Sequence, residues 1–184
     1  MKSKVYFTRA LTPEAVVKMY NALGVELPGK VAVKVHTGEQ GNQNYMPPEF
    51  WKPMIDEIGG TVCETNTAYG DASSVVFPEA MADAASSIYR HFEGKIAFVN
   101  VMKNLSVDCD CCAVAEDPCM ADIGILSSTD PVAIDQACMD LVMKSDDPGR
   151  EHFVERVNSR NGIHTIEAAA ELGFGSREYE LIEI

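Results

Sequence analysis

The chain has 184 residues and a formal net charge of −13. That excess of acid argues against nucleic acid and against an anionic membrane surface, both of which select a basic face. Hydrophobic residues make up 46% and charged residues 23%, proportions that suit a folded chain with a core of its own. No stretch approaches the ~20 apolar residues of a membrane span. The basic start MKSKVYFTRAL lacks the apolar run and small-residue cleavage site of a signal peptide, so a cytoplasmic protein with no membrane partner is expected. In a reducing compartment its six cysteines point to metal ligands or redox groups before structural disulfides.

In chain order, Lys4–Ala10 predicts a strand. Thr12 is a good N-cap with Pro13 at the first helical position; Val16, Met19, Tyr20 and Leu23 form one face, and Gly24 stops the helix. Lys30–His36 predicts a second strand, running into the polar, glycine-bearing loop TGEQGNQNYM. Phe50, Met54, Ile55 and Ile58 recur at helical spacing before Gly59 and Gly60, with Pro53 expected to kink that helix or delay its start. TVCETNT predicts a third strand and Pro78–Phe92 the clearest helix. Lys95–Val101 reads as a strand buried on both faces. After a cysteine-bearing loop, ADIGILSS predicts a strand, and Asp130 with Pro131 opens a helix. Helices around Glu151–Val157 and Thr165–Leu172 follow, the latter closed by Gly173, and EYELIEI predicts a final strand.

With no repeat, low-complexity segment or linker, a single compact domain over residues 1–184 is expected. Strands alternating with helices imply an α/β fold, with a mostly parallel sheet and helices on both faces. Ligands gather beyond the carboxyl ends of such strands. The polar segments His36–Met46, Thr65–Asp71, Met102–Ala121 and Ser127–Asp130 are therefore expected to meet on one edge.

The segment NLSVDCDCCAVAEDPCM crowds four thiols among carboxylates. From Asn104 to Met143 there is no Lys, Arg or His, while eight acids appear: Asp108, Asp110, Glu116, Asp117, Asp122, Asp130, Asp135 and Asp140. Such a field disfavours thiolates and hence free nucleophilic cysteine; a bound cation reverses that logic. Cys109, Cys111, Cys112 and Cys119 offer four sulfurs, as iron–sulfur clusters and tetrahedral zinc prefer. Their spacing, C-x-C-C-x6-C, is not the paired C-x2-C of common sites, and adjacent Cys111 and Cys112 do not easily share one small ion. Packing as small, partly buried hydrophobes is an alternative of equal weight. Cys63 and Cys138, the latter on a helical face with Ile134 and Leu141, read as core. Lys34 and His36 share one side of their strand, and the amides around Gly38, Gly41 and Asn42 are placed to help them hold a carboxylate or phosphate. The glycine spacing is neither a dinucleotide fingerprint nor a P-loop, and a plain solvent loop is the stronger alternative. Glu64–Thr67 are either polar groups around a site or turn formers. His91, His152 and His164 lie near helix ends and receive no role.

The segments VKVHTGEQGN, ETNTAYG, NVMKNLSVDCDC, MADIGILSSTDPVAIDQAC and SRNGIHTIEAAAELGFGSREYEL resemble domain-of-unknown-function family 362, whose members are often labelled uncharacterised Fe–S centre proteins. The likeness spans almost the whole chain. It implies an α/β domain in an anaerobic or methanogen-like cytoplasm and an association with iron–sulfur, and it implies no reaction. Residue by residue it carries Asp108, Cys109, Asp110 and Cys111 as the metal-site candidates; Cys112 and Cys119 are additions to the family pattern. Members are longer after their NTAYGG-like stretch, with a His- and Gly-rich portion and, in some, a ferredoxin-like insert. Here NTAYG runs straight into DASSVVFPEAM, so a segment near residues 70–75 is expected to be missing or deleted.

Three functions stand open, in this order. The first is a metal- or iron–sulfur-binding redox protein, holding a cluster or a single Fe or Zn ion on Cys109 and Cys111 with Cys112 or Cys119, and serving a redox partner. The second is a metal-free α/β enzyme or binding protein taking a small anionic ligand through Lys34, His36 and Gly38–Asn42. The third is a non-catalytic scaffold whose cysteines are packing.

Overall fold

The computed structural model describes residues 2–35, 45–63, 75–92, 94–108 and 112–184. Its elements are β1 (Ser3–Thr8), α1 (Pro13–Ala22), β2 (Val31–Lys34), α2 (Pro48–Ile58), β3 (Gly60–Cys63), α3 (Val76–His91), β4 (Phe98–Met102), β5 (Gly124–Ser128), α4 (Pro131–Lys144), α5 (Arg150–Ser159), α6 (Ile163–Glu171) and β6 (Tyr179–Glu183). The expected deletion near residues 70–75 falls largely outside the described residues.

Local chemistry explains the helix starts. The Thr12 hydroxyl accepts from the Ala15 amide at 3.2 Å, and Asp130 Oδ1 accepts from Val132 and Ala133, both at 3.0 Å. In both helices proline follows, where the missing N–H costs nothing. Helix α2 is not delayed by its internal proline: it begins at Pro48 and runs through Pro53. The ring forfeits only the bond to the Glu49 carbonyl, and burial of Phe50 and Met54 on one face holds the helix together. Gly59 ends it at φ +63°, a conformation a side chain resists.

The larger sheet has the order β4-β5-β1-β6. Strand β5 runs antiparallel to both β4 and β1, and only β1 and β6 are parallel. Strands β2 and β3 form a separate, parallel two-stranded sheet. The fold is thus α/β with a mixed sheet, and the expectation of a mostly parallel one is overturned. The reason lies between β4 and β5. A parallel return requires a crossover that packs on the sheet, usually a helix, but the cysteine-bearing segment has no apolar period with which to pack. It turns back instead, and the Ile123 amide bonds the Met102 carbonyl at 2.9 Å to start an antiparallel pair.

Helices do cover both faces. Ile125 points into a cluster with Val16, Met19, Phe50 and Met54 of α1 and α2. The next residue, Leu126, points the other way, against Val5, Phe7 and Ala133 and Ile134 of α4, as the two-residue period of a strand requires. Burial of every residue belongs to β5, the second strand in from the edge. Strand β4, expected to be buried on both faces, is only partly so because it is itself the edge. The buried hydroxyls of β5 are satisfied: Ser127 donates to the Met19 carbonyl and Ser128 to the Lys4 carbonyl, each at 2.8 Å. Helices α3 and α6 share a third cluster around Ala82, Val132, Ile166 and Phe174.

Because β5 opposes β4, their carboxyl ends lie at opposite edges of the sheet. The Ser127–Asp130 segment consequently does not lie at the edge where β4 ends; His36–Asn44 and Thr65–Asp71 fall outside the described residues. Its Asp130 is instead a structural tie: Oδ2 accepts from the Ser3 hydroxyl at 2.6 Å and the Ser176 amide at 3.0 Å.

Candidate functional site

The segment between β4 and β5 is bonded to itself from its foot upward. Lys103 pairs with Asp122 at 3.0 Å, and Asp122 also accepts from the Asn104 amide at 2.8 Å. The Cys119 amide bonds the Leu105 carbonyl at 2.8 Å. The Ser106 hydroxyl donates to the Glu116 carbonyl at 2.9 Å, and the Glu116 amide donates to Asp108 at 3.0 Å.

Helix α5 braces the closed loop from the side. Arg156 donates to Asp108 at 2.9 Å and stands 3.8 Å from Glu116, while His152 meets Glu116 at 3.1 Å. Lower down, Asp147 accepts from the Ala121 amide at 3.0 Å and from the Gly149 amide at 2.7 Å. Gly149 touches the loop so closely that a β-carbon there would stand 1.6 Å from the Cys119 carbonyl oxygen. The Glu116 amide first, and then Arg156, hold the Asp108 carboxyl below the usual carboxylate range. The amides of Ala121 and Gly149 do the same for Asp147.

Three acids of the field inferred from residues 104–143, Asp108, Glu116 and Asp122, therefore have basic partners. Lys103, His152 and Arg156 lie just outside that window of sequence, and the fold brings them onto Asp122, Glu116 and Asp108. Counting charge along the chain misses partners that arrive through space.

Of the metal-site residues read from sequence, Asp108 is engaged by Arg156 and the Glu116 amide. Cys119 packs against the cluster containing Met102, Met120 and Val142, and burial pushes its thiol pKa up. Cys112 is a half-exposed free thiol. Cys109, Asp110 and Cys111 lie outside the described residues. Among the described residues, no group of three or more His, Cys, Asp or Glu is disposed to hold a metal ion.

A second feature adjoins the foot of the loop. A groove of about 510 Å³ runs between the free edge of β4 and the end of β2, bordered by Lys34, Trp51, Asn100, Leu105, Cys138 and Phe153 among others. It brings the Lys34 end of β2 and the foot of the cysteine loop together, as convergence at the carboxyl ends of the strands predicts. His36, Gly38, Gly41 and Asn42 lie outside the described residues. Asn100 Nδ2 donates to Asp135 at 2.8 Å and to the Cys138 sulfur at 3.5 Å. Cys138, expected in the core, does pack against it but turns its sulfur toward Asn100; burial pushes its pKa up to about 12, so it stays a thiol. Burial likewise raises Asp135, against the Asn100 bond that lowers it; solvent reaches this residue, but protein atoms crowd its carboxylate. Asn100 and Trp51 were not singled out by sequence reading, and Asp135 entered it only as one acid of the loop's field. The signals were one polar residue inside the apolar run FVNVM, and a carboxylate three residues before a cysteine on one helix.

Among the described residues no helix is long and apolar enough to cross a membrane. No curated protein and no solved structure matches the chain. A family model does match, over residues 64–140, which include α3, β4, the cysteine loop, β5 and the first part of α4. Over this segment the chain is similar to the family described as Domain of unknown function (DUF362).

Proposed function

We propose that this domain is a metal- or iron–sulfur-binding protein whose thiol-centred site sits on the loop tip between Asp108 and Glu116. The supporting observation is how the surrounding groups are committed. Asp108, Glu116, Asp122 and Asp147 each have a partner, and Cys119 packs against the core. Cys109, Cys111 and Cys112 remain as donors beside Asp110, and a thiol-rich donor set selects soft metals, zinc or iron–sulfur over hard cations. The fit is to sulfur donors at the tip; Asp108 and Cys119 serve as its scaffold. Cys109 and Cys111 form the primary pair, since the adjacent thiols of Cys111 and Cys112 do not easily meet one ion. When bound, a cluster would supply one-electron chemistry, and a zinc ion would supply a structural or Lewis-acid centre. A redox partner would meet the loop tip, and a reducing cytoplasm would keep the thiols available.

The test is purification without air, followed by metal analysis and a visible spectrum of the wild type and of Cys109→Ser/Cys111→Ser. Stoichiometric Fe or Zn in the wild type, lost in a folded double variant, is the expected result. A colourless wild type without stoichiometric metal refutes the proposal.

A further inference from the structure

We infer that α3 is the interface of a twofold dimer, its outer face packing antiparallel against the same helix of a second copy of this chain. One face of α3 is already used. Pro78, Ala82 and Ser86 are buried, and Tyr89 meets the rings of Phe98 and Phe174. Among the described elements, α6 is the one that packs extensively on this helix. Residues two positions on lie about 200° round a helix, so Ala80, Ala84 and Ile88 look away from α6. With Phe77, Met81 and, at the C-cap, Phe92, they recur at the three- and four-residue spacing of one apolar stripe. Met81 is 49% exposed, Ile88 56% and Phe92 45%, and Ala80 and Ala84 are exposed between them.

The stripe is self-complementary. Turned end for end about a point between Ala84 and Ala85, it sets Phe77 against Phe92 of the second copy, and Met81 against Ile88 of the second copy. The alanines then meet at the crossing, where small side chains let two helix axes approach closely. Charge selects the same direction. Glu79 and Asp83 stand in the first half of the helix, Arg90 and His91 in its last turn. Antiparallel helices therefore place acid beside base and oppose their dipoles, whereas parallel helices align like charges. In a chain with 28 acids, none falls on the stripe itself. That separates this face from the rest of a surface whose net charge of −13 keeps copies apart. The extent is small but sufficient. Met81, Ile88 and Phe92 each leave roughly 100 Å² open, and with Phe77 and the alanines the stripe amounts to about 500 Å². Two such stripes bury about 1,000 Å², the lower bound for a specific interface, which suits a dimer in the micromolar range.

Sedimentation of the full chain, kept reduced and followed from micromolar to millimolar concentration, tests this. The expected result is a reversible monomer–dimer equilibrium that tightens as added salt screens the net charge. Met81→Lys or Ile88→Glu alone should weaken it by roughly tenfold or more, since each buries a charge without a partner. Combined in one chain, the two substitutions face each other across the axis with opposite charge and should recover most of that loss. Leu181→Glu, at an exposed apolar residue of β6, should leave the equilibrium unchanged, as should Cys109→Ser/Cys111→Ser. Far-ultraviolet circular dichroism checks that the variants fold, as substitutions at exposed positions should. A monomer throughout, a dimer indifferent to both single α3 substitutions, or single losses that the combination does not recover overturns the inference. So does a dimer lost with Leu181→Glu, which puts the contact elsewhere, or with the two cysteines, which makes it a metal bridge. Metal content is a separate measurement, so the thiol-site proposal stands or falls independently.

Discussion

Replacing Asp130 by alanine removes four hydrogen bonds that join three parts of the fold. Oδ1 caps α4 through the amides of Val132 and Ala133, both at 3.0 Å. Oδ2 ties the start of β1 through Ser3 and the approach to β6 through the Ser176 amide, at 2.6 and 3.0 Å. Losing the cap costs about 1 kcal/mol. The two bonds on Oδ2 contribute roughly 1 kcal/mol each, since water reaches this half-buried site and offsets part of the loss. The sum, about 3 kcal/mol, is a large fraction of the ~5–15 kcal/mol that holds a domain folded. For a chain of this length it lowers Tm by roughly 6–12 °C. Asp130→Asn keeps an acceptor for the cap but turns an N–H₂ toward the Ser176 amide, so it should lose about half as much. Urea and thermal unfolding followed by circular dichroism decide the matter. A cost below about 1 kcal/mol for the alanine variant, or an asparagine variant as damaged as the alanine one, refutes the assignment of Asp130 as the tie. Gly175 tests the same node from its other side, since a β-carbon there would stand 2.4 Å from Asp130 Oδ1 and 2.5 Å from Val132 Cγ2. Gly175→Ala should therefore destabilise, and less so when Asp130 is already alanine.

Three further outcomes follow from particular contacts. Gly149→Ala forces the Cys119 carbonyl and the start of α5 apart; a cost of about 1–3 kcal/mol and faster hydrogen exchange at the Cys119 and Ala121 amides are expected, and unchanged exchange contradicts the contact. Cys119→Ala should cost about 1 kcal/mol as a small cavity while leaving any bound metal in place, and loss of metal in the folded variant would make Cys119 a ligand. His164 lies 3.2 Å from Glu79 and 3.5 Å from Glu167, and Glu79 foremost raises its pKa above the ordinary value of 6.5. The protonated form is thus favoured by folding: the stabilisation is complete below the unfolded pKa and is lost as pH rises through the higher folded one. The Tm difference between wild type and His164→Gln should shrink from about pH 6 to pH 8, and a difference independent of pH excludes the ion pairs.

What sequence made legible is what neighbours in sequence decide. Thr12 with Pro13 and Asp130 with Pro131 predicted two helix starts to the residue, because a cap is satisfied within the next three amides. The direction of strand pairing is not of that kind. Alternating strands and helices suggested crossovers throughout, and the inference failed at the one connection that lacks a helix. The charge of the cysteine loop failed similarly, because Arg156 reaches Asp108 from 48 positions away. Lys34 stood out as a cation at a strand end, whereas pairing Asn100 with Asp135 and Cys138 needs β4 and α4 already packed together.

The antiparallel return of β5 also accounts for where the chemistry lies. A crossover between β4 and β5 would have carried the cysteines across a face of the sheet, where their carboxylate neighbours would be desolvated at high cost. The return keeps the segment at the carboxyl end of β4, over α5, where solvent, the Arg156 guanidinium and the His152 ring all reach it. Ordering a segment this long carries a large entropy cost. Successive closures at Leu105–Cys119, Ser106–Glu116 and Asp108–Glu116 divide that cost, so each next closure joins ends already close.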